Sequence, residues 1–446
     1  MKYGNYVITN NNAFPVLPSH WEIKSGRYCF AENKEKNSDF SQRTLLQFTY
    51  GTIARKKNQE IISADEEIYK KYTQVIPNDI MLNGLNLNYD FVSQRVGLVK
   101  EKGIITSAYL SLRCHDVFNP SYANYLLKSL DAQKIFHGMG SGVRLTLGYP
   151  EFSKIQFPVP PRAEQDQIVR YLDWQLSKIN KLIHGYQRQN LLINDIKNRK
   201  IQDIILTADT RKYMRLKYLG SFEKGGGFSR DNLCVNGFPA ILYGDIYTQY
   251  VYKTDIVNHR IDEGAYSKAV KIGHGDIVFA GTGETKEEIG KPIIYLGQDI
   301  VAIGGDVISF KNKSSLSSKY LLYFLYSEEA LRYRYINGKG DIIVHISSGS
   351  LGNHIIPIPS KENEERIVSQ IEKVINDTTK IVNDILNEIQ LLKEYRTRLI
   401  SDVVTGQMDV REIEIPEYTP EEDTDESFES DADDIENAGE EVDSDE

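Results

Sequence analysis

The stretch FPVPPRAEQDQIVRYLD at residues 157–173 returns as IPIPSKENEERIVSQIE at residues 356–372, 199 positions later. At that offset Pro158 meets Pro357, Pro160 meets Pro359, Ile168 meets Ile367 and Val169 meets Val368. The register continues without a gap through Lys181 and Lys380, Leu192 and Leu391, Arg199 and Arg398, and Asp203 and Asp402. Composition alone does not produce such a match, and a repeated unit constrains a fold more than any single motif. The chain contains an internal duplication.

Each copy opens on prolines, which remove backbone donors and end whatever precedes them. Charged residues follow, RAEQDQ in one copy and KENEER in the other, with acids in the first turn where the helix dipole favours them. A long proline-free segment comes next. In the second copy Ile371, Thr378, Ile385, Leu392 and Leu399 fall seven apart, with Ile375, Val382 and Ile389 between them. In the first, Leu172, Leu176, Ile179, Ile183, Tyr186 and Ile193 make the corresponding stripe. A sustained seven-residue repeat is a coiled-coil pattern. At about 1.5 Å per residue, each helix of about 45 residues reaches roughly 65 Å. The stripes can pair within one chain or with a second molecule. The compact segment between them, able to return the chain, favours the first.

The segments ahead of the helices read as mixed α and β. QRVGLVKEKGIITSAYLSLR, KIGHGDIVFAGTG and KPIIYLG are short strand-like runs bounded by glycine. SYANYLLKSLDAQKIF and SSKYLLYFLYSEEALRYRY are helical stretches late in their segments. Six regions result: an N-terminal extension (1–15), a first unit (16–156), a first helix (157–207), a second unit (208–355), a second helix (356–411) and a tail (412–446).

The tail holds 18 acidic residues in 35 and no Lys or Arg, which leaves 53 basic and 45 acidic residues before it. The net charge of -10 therefore hides a basic body near +8 beside a segment expected to be disordered. Such a body favours a polyanionic partner. No apolar run approaches the roughly 18 residues of a membrane span, the opening lacks a signal-peptide core, and a cytoplasmic location is expected. The three cysteines, Cys29, Cys114 and Cys234, lack CxxC spacing, and no HExxH pair occurs. A metal site is not expected.

FAGTG at 279–283 resembles the loop by which methyltransferases hold S-adenosylmethionine, yet no (Asn/Asp/Ser)-Pro-Pro-aromatic loop accompanies it. It reads as a connection between strands. GMGSG at 138–142 and EKGGG at 223–227 carry no Walker lysine. No local motif assembles a nucleophile, base and orienting acid, so no catalytic residue and no bound cofactor is expected. Several loops instead pair glycine with cationic or polar side chains: Arg144 in GSGVRLT, Lys224, Ser229 and Arg230 in FEKGGGFSR, and Lys339 in INGKGD. Arg95, Lys100, Lys102 and His345 complete the candidates for DNA contact. Lys and Arg neutralise phosphates, and fixed polar side chains read base edges.

These motifs resemble the specificity subunit of type I restriction-modification systems over residues 16–411. The family's Pro-Pro-x-x-Glu-Gln start is matched by Pro160, Pro161, Glu164 and Gln165, and its helix end by Val404 to Gly406. GIITSAYLSLR at 103–113 and LYGDIYTQY at 242–250 look like strand motifs of its target recognition domains. The resemblance implies an α+β fold of two target recognition domains, of mixed α/β-sheet type, separated by two long antiparallel coiled-coil helices in a pseudo-two-fold arrangement. It implies that each domain reads half of a bipartite double-stranded DNA target while the helices set the spacer. Type I modification subunits, expected to be two, would dock on the helices and carry S-adenosylmethionine, and restriction subunits would join them to cleave. The partner-docking and spacer candidates are Pro158, Pro160, Glu164, Gln165, Ile168, Leu172 and Ile179, with Pro357, Pro359, Ile367, Ile371, Ile385 and Leu392 in the second copy. That copy departs from the family at Ser360, Asn363 and Glu364, which puts equal docking on both helices in question. The residues also admit a second reading, a coiled-coil scaffold for protein interaction without DNA binding.

Overall fold

The computed structural model describes residues 2–56, 66–87, 94–140 and 145–421. Both expected long helices form, as Arg162–Leu206 and Lys361–Val404, of 45 and 44 residues. The chain divides into two compact units, Met1–Gln187 with Leu386–Glu446, and Arg188–Ile385. Each unit therefore takes half of each helix, where the sequence suggested a domain followed by its own helix.

In the first unit a four-stranded antiparallel sheet runs in the order Phe30–Glu32, Leu110–Cys114, Ile80–Leu82, Val96–Leu98. The helix Pro120–Ala132 packs on it, started by Asn119, whose side chain accepts from the amides of Ser121 and Tyr122. Leu126, Leu127 and Leu130 of that helix share one core with Ile168, Leu172, Ile179 and Ile183 of the first long helix and Leu399, Val403 and Val404 of the second. The start of one long helix thus lies beside the end of the other.

Residues 412–421, expected to begin a disordered tail, are ordered. Ile413 and Ile415 pack against the same core. Ser177 donates to the Thr419 carbonyl (3.2 Å), Asn180 donates to that of Glu421 (3.1 Å), and the Glu421 amide donates back to Ser177 (2.8 Å). Polar side chains on the first long helix satisfy the extended backbone, and two isoleucines anchor it. The acidic composition concealed this. The rest of the tail lies outside the described residues.

The second unit has a five-stranded sheet (Gly220–Lys224, Val307–Asn312, Ile277–Ala280, Pro292–Tyr295, Lys253–Thr254) and a four-stranded one (His259–Ile261, Leu233–Ile241, Val301–Ile303, Val270–Ile272). Its core joins Leu321, Leu322, Phe324 and Leu325 of the helix Ser318–Leu325 to Ile201 and Ile205 of the first long helix and Ile367 and Ile371 of the second. Here the end of the first long helix meets the start of the second, so the pair runs antiparallel. One expected strand is a helix: within LYGDIYTQY, Tyr243–Thr248 is helical, because the Asp245 carboxylate accepts the Leu242 amide at 2.9 Å and closes the turn.

The duplication extends to local chemistry. The strand before each long helix, Gln156–Val159 or Ile355–Ile358, pairs antiparallel with a strand near the start of its unit, Glu22–Ser25 or Lys212–Arg215. Buried Gln165 accepts the amide of Asn119 at 2.7 Å, and buried Glu364 accepts that of Ser317 at 2.6 Å. Asn119 and Ser317 cap the helices Pro120–Ala132 and Ser318–Leu325. The glutamate in the divergent second copy thus performs the glutamine's task.

Candidate nucleic-acid interface

Three of the candidates for DNA contact converge. Lys224, Lys339 and His345 line one cleft of about 330 Å³ in the second unit, with Thr282, Asp306 and Asn337. The five-stranded sheet supplies Lys224 at the end of its edge strand. A tight turn supplies the others: Lys339 and His345 exchange backbone hydrogen bonds of 2.9 and 2.8 Å. Gly340 closes that turn at φ 117°, and a Cβ there would lie 2.0 Å from the Ile343 carbonyl oxygen, so INGKGD needs glycine. Both lysines and His345 are exposed. Neither lysine side chain has an ion-pair partner among the described residues.

The other candidates separate. Arg95 is half-buried and donates to the carbonyls of Asn83 (3.0 Å), Leu85 (2.6 Å) and Asn86 (3.2 Å), so it braces its own loop. Lys100 and Lys102 are exposed on a turn of the first unit, either side of Glu101, which pairs with Arg55 at 2.6 Å. Ser229 caps the short turn Arg230–Asn232, and exposed Arg230 lies on it outside the cleft lining. Arg144 lies outside the described residues.

The partner-docking candidates are mostly interior. Pro158, Pro160, Glu164, Gln165, Ile168, Leu172, Ile179, Pro357, Pro359, Ile367, Ile371 and Ile385 are buried, and Leu392 is half-buried. Glu164 accepts from the Tyr3 hydroxyl, the Trp21 indole (3.1 Å) and His20 (2.8 Å), and Gln165 also donates to the Val117 and Pro160 carbonyls, both at 2.9 Å. All but Leu392 are buried where each unit packs on its helices. The outward positions are others. Leu182, Leu192 and Ile196 on the first long helix are exposed, and so are Ile381, Leu391 and Tyr395 at the equivalent places of the second. The first unit carries Leu182 with Leu391 and Tyr395, and the second carries Ile381 with Leu192 and Ile196. Each unit therefore shows the same three apolar positions to solvent. Their equivalence was legible in the 199-residue register.

FAGTG runs from the strand Ile277–Ala280 to the strand Thr282–Gly283, without the helix a nucleotide-binding loop requires. Burial pushes the Cys29 and Cys114 thiols up to about 12, far from an activated thiolate. No group of His, Cys, Asp and Glu that could hold a metal occurs among the described residues, and none of their helices is long and apolar enough to cross a membrane.

Residues 209–391 match the family model of the type I restriction modification DNA specificity domain. Among solved structures, a chain from a study of complex assembly and conformational transition in the type I R-M system has a TM-score of 0.62 at 15% identity, covering 87% of this chain and 98% of that one. The HsdS subunit from Thermoanaerobacter tengcongensis gives 0.45 at 16% identity, covering 88% and 98%. The type I restriction-modification S subunit from M. genitalium gives 0.36 at 13% identity, covering 90% and 99%. No curated protein matches the sequence. The first of these likenesses shows that the two chains share a fold. Over residues 209–391 the chain is similar to the type I restriction modification DNA specificity domain.

Proposed function

We infer that this chain is the DNA sequence-specificity subunit of a type I restriction-modification complex, a non-catalytic reader of a bipartite double-stranded target. The observation that carries this reading is the convergence of Lys224, Lys339 and His345 in one cleft of the domain that matches the specificity family. Exposed lysines supply phosphate neutralisation, and a fixed imidazole beside them supplies base-edge readout. Each unit reads one half-site, with boundaries near residues 16–156 and 208–355. The helix pair sets the spacer between the half-sites.

Two modification subunits dock on the repeated apolar positions, one on Leu182, Leu391 and Tyr395 of the first unit and one on Leu192, Ile196 and Ile381 of the second. They carry S-adenosylmethionine and the methyl-transfer chemistry, and restriction subunits join the assembly to cleave. The complex works in the cytoplasm. In the test, residues 208–355 are exchanged for the equivalent segment of another such subunit, and the methylated sequence is read from the assembled complex. One half-site changes and the other persists. An unchanged target, or loss of both halves with assembly intact, would refute the reading.

A further inference from the structure

The cleft of the second unit contains a polar relay that phosphate neutralisation does not require. Thr282 and His345 stand opposite each other on the paired strands Thr282–Gly283 and Val344–His345. Thr282 Oγ1 lies 2.9 Å from His345 Nδ1 and 3.0 Å from Asp306 Oδ1. A hydroxyl has one proton and an ionised carboxylate has none. Both contacts are hydrogen bonds only if Thr282 donates to Asp306 and His345 donates Nδ1–H to Thr282. The neutral ring then has its proton on Nδ1 and presents Nε2 as an acceptor. Thr282 is buried and His345 is exposed, so the relay is anchored in the fold and its reading end faces outward.

An acceptor fixed in that position selects among bases. In the major groove it pairs with the amino group of adenine (N6) or cytosine (N4), whereas the guanine O6 and N7 and the thymine O4 are acceptors and reject it. A ring free to exchange tautomers would take either kind. Lys224 and Lys339 line the same cleft, as flanking phosphates would require.

We propose that His345 is a specificity-determining residue of the second unit, reading the exocyclic amino group of one base through Nε2. Thr282 and Asp306 are positioning residues that hold its tautomer. This rests on the reading of the chain as a DNA specificity subunit and names the chemistry of one of its contacts.

The test uses the full chain assembled with its modification subunits. The base position whose preference changes in H345A is located on a randomised DNA library. That base is then replaced by an analogue lacking the amino group, purine for adenine or pyrimidin-2-one for cytosine. The analogue weakens wild-type binding about tenfold, the low end of a mismatch cost, and weakens H345A no further, as expected of two halves of one contact. T282V, which keeps the imidazole and frees its tautomer, loses discrimination at that position alone, and the His345 side-chain nitrogen NMR shifts move toward the Nε2–H form. Unchanged methylation of the first half-site shows that each variant is folded. The proposal is overturned if H345A alters no position while a bipartite target is still methylated, or if the analogue and H345A weaken binding independently. If the wild-type complex methylates no bipartite target, the specificity-subunit reading itself fails and takes this contact with it.

Discussion

Substitution of Glu364 separates the role of its charge from its role as an acceptor. Glu364 is buried and accepts the Ser317 amide at 2.6 Å, while the Ser317 hydroxyl accepts from the Lys319 amide at 3.2 Å to start the next helix. Glu364→Leu preserves approximate volume and removes the acceptor, leaving a partly buried amide unsatisfied at a cost of about 1–3 kcal/mol. Glu364→Gln restores the chemistry that Gln165 uses in the first unit, and exchanges a charge-assisted hydrogen bond for a neutral one at about 1 kcal/mol or less. Both tryptophans, Trp21 and Trp174, lie in the first unit. Denaturation followed by tryptophan fluorescence therefore reports that unit, and far-UV circular dichroism reports both. E364L lowers the dichroism transition by about 2 kcal/mol with little change in fluorescence, and E364Q stays close to wild type. Equal damage from E364Q and E364L, or none from E364L, would refute the assignment of Glu364 as a neutralisable cap acceptor.

Other consequences concern pH, salt and assembly. Burial, with the nearby Arg334 charge, pushes His354 from 6.5 down to about 4. Unfolding then takes up a proton below about pH 6.5, so the second unit loses stability from pH 6.5 toward pH 4 and shows no such dependence above. His354→Phe removes this loss, as denaturation at pH 7 and pH 5 will show. Lys224→Ala with Lys339→Ala weakens DNA binding alike on all sequences and lowers the salt slope by about 2, as measured by titration at several salt concentrations. Leu192→Glu or Leu391→Glu places a charge in a face that excludes water when covered, and reduces capture of modification subunits at least tenfold, about 1.4 kcal/mol, with the thermal midpoint unchanged.

The duplication, both long helices and the mixed α/β units were legible because they rest on local signals: proline punctuation, seven-residue spacing and glycine-bounded apolar runs. LYGDIYTQY failed as a strand because the side chain of Asp245, three residues from the turn it closes, overrode an aromatic pattern. The cleft was legible in part. Lys224, Lys339 and His345 stood out individually, yet Thr282 and Asp306 gain their meaning only when Thr282 is set opposite His345 across a two-residue strand pair. Glu164 and Gln165 looked like docking residues because they match the family's motif in the first copy, whereas Glu164 accepts hydrogen bonds in the core and Gln165 supports a helix start as Glu364 does in the second copy. Repetition marks a shared constraint without saying whether it faces inward or outward; burial decides that.

Mapping base methylation across the genome of cells that express the modification subunits, with and without this chain, tests the central claim most directly. The account predicts that the chain adds methylation at one bipartite sequence, two short half-sites at a fixed spacing, and that this mark vanishes in its absence. Methylation that does not depend on the chain, or that follows a continuous motif with no spacer, would contradict it.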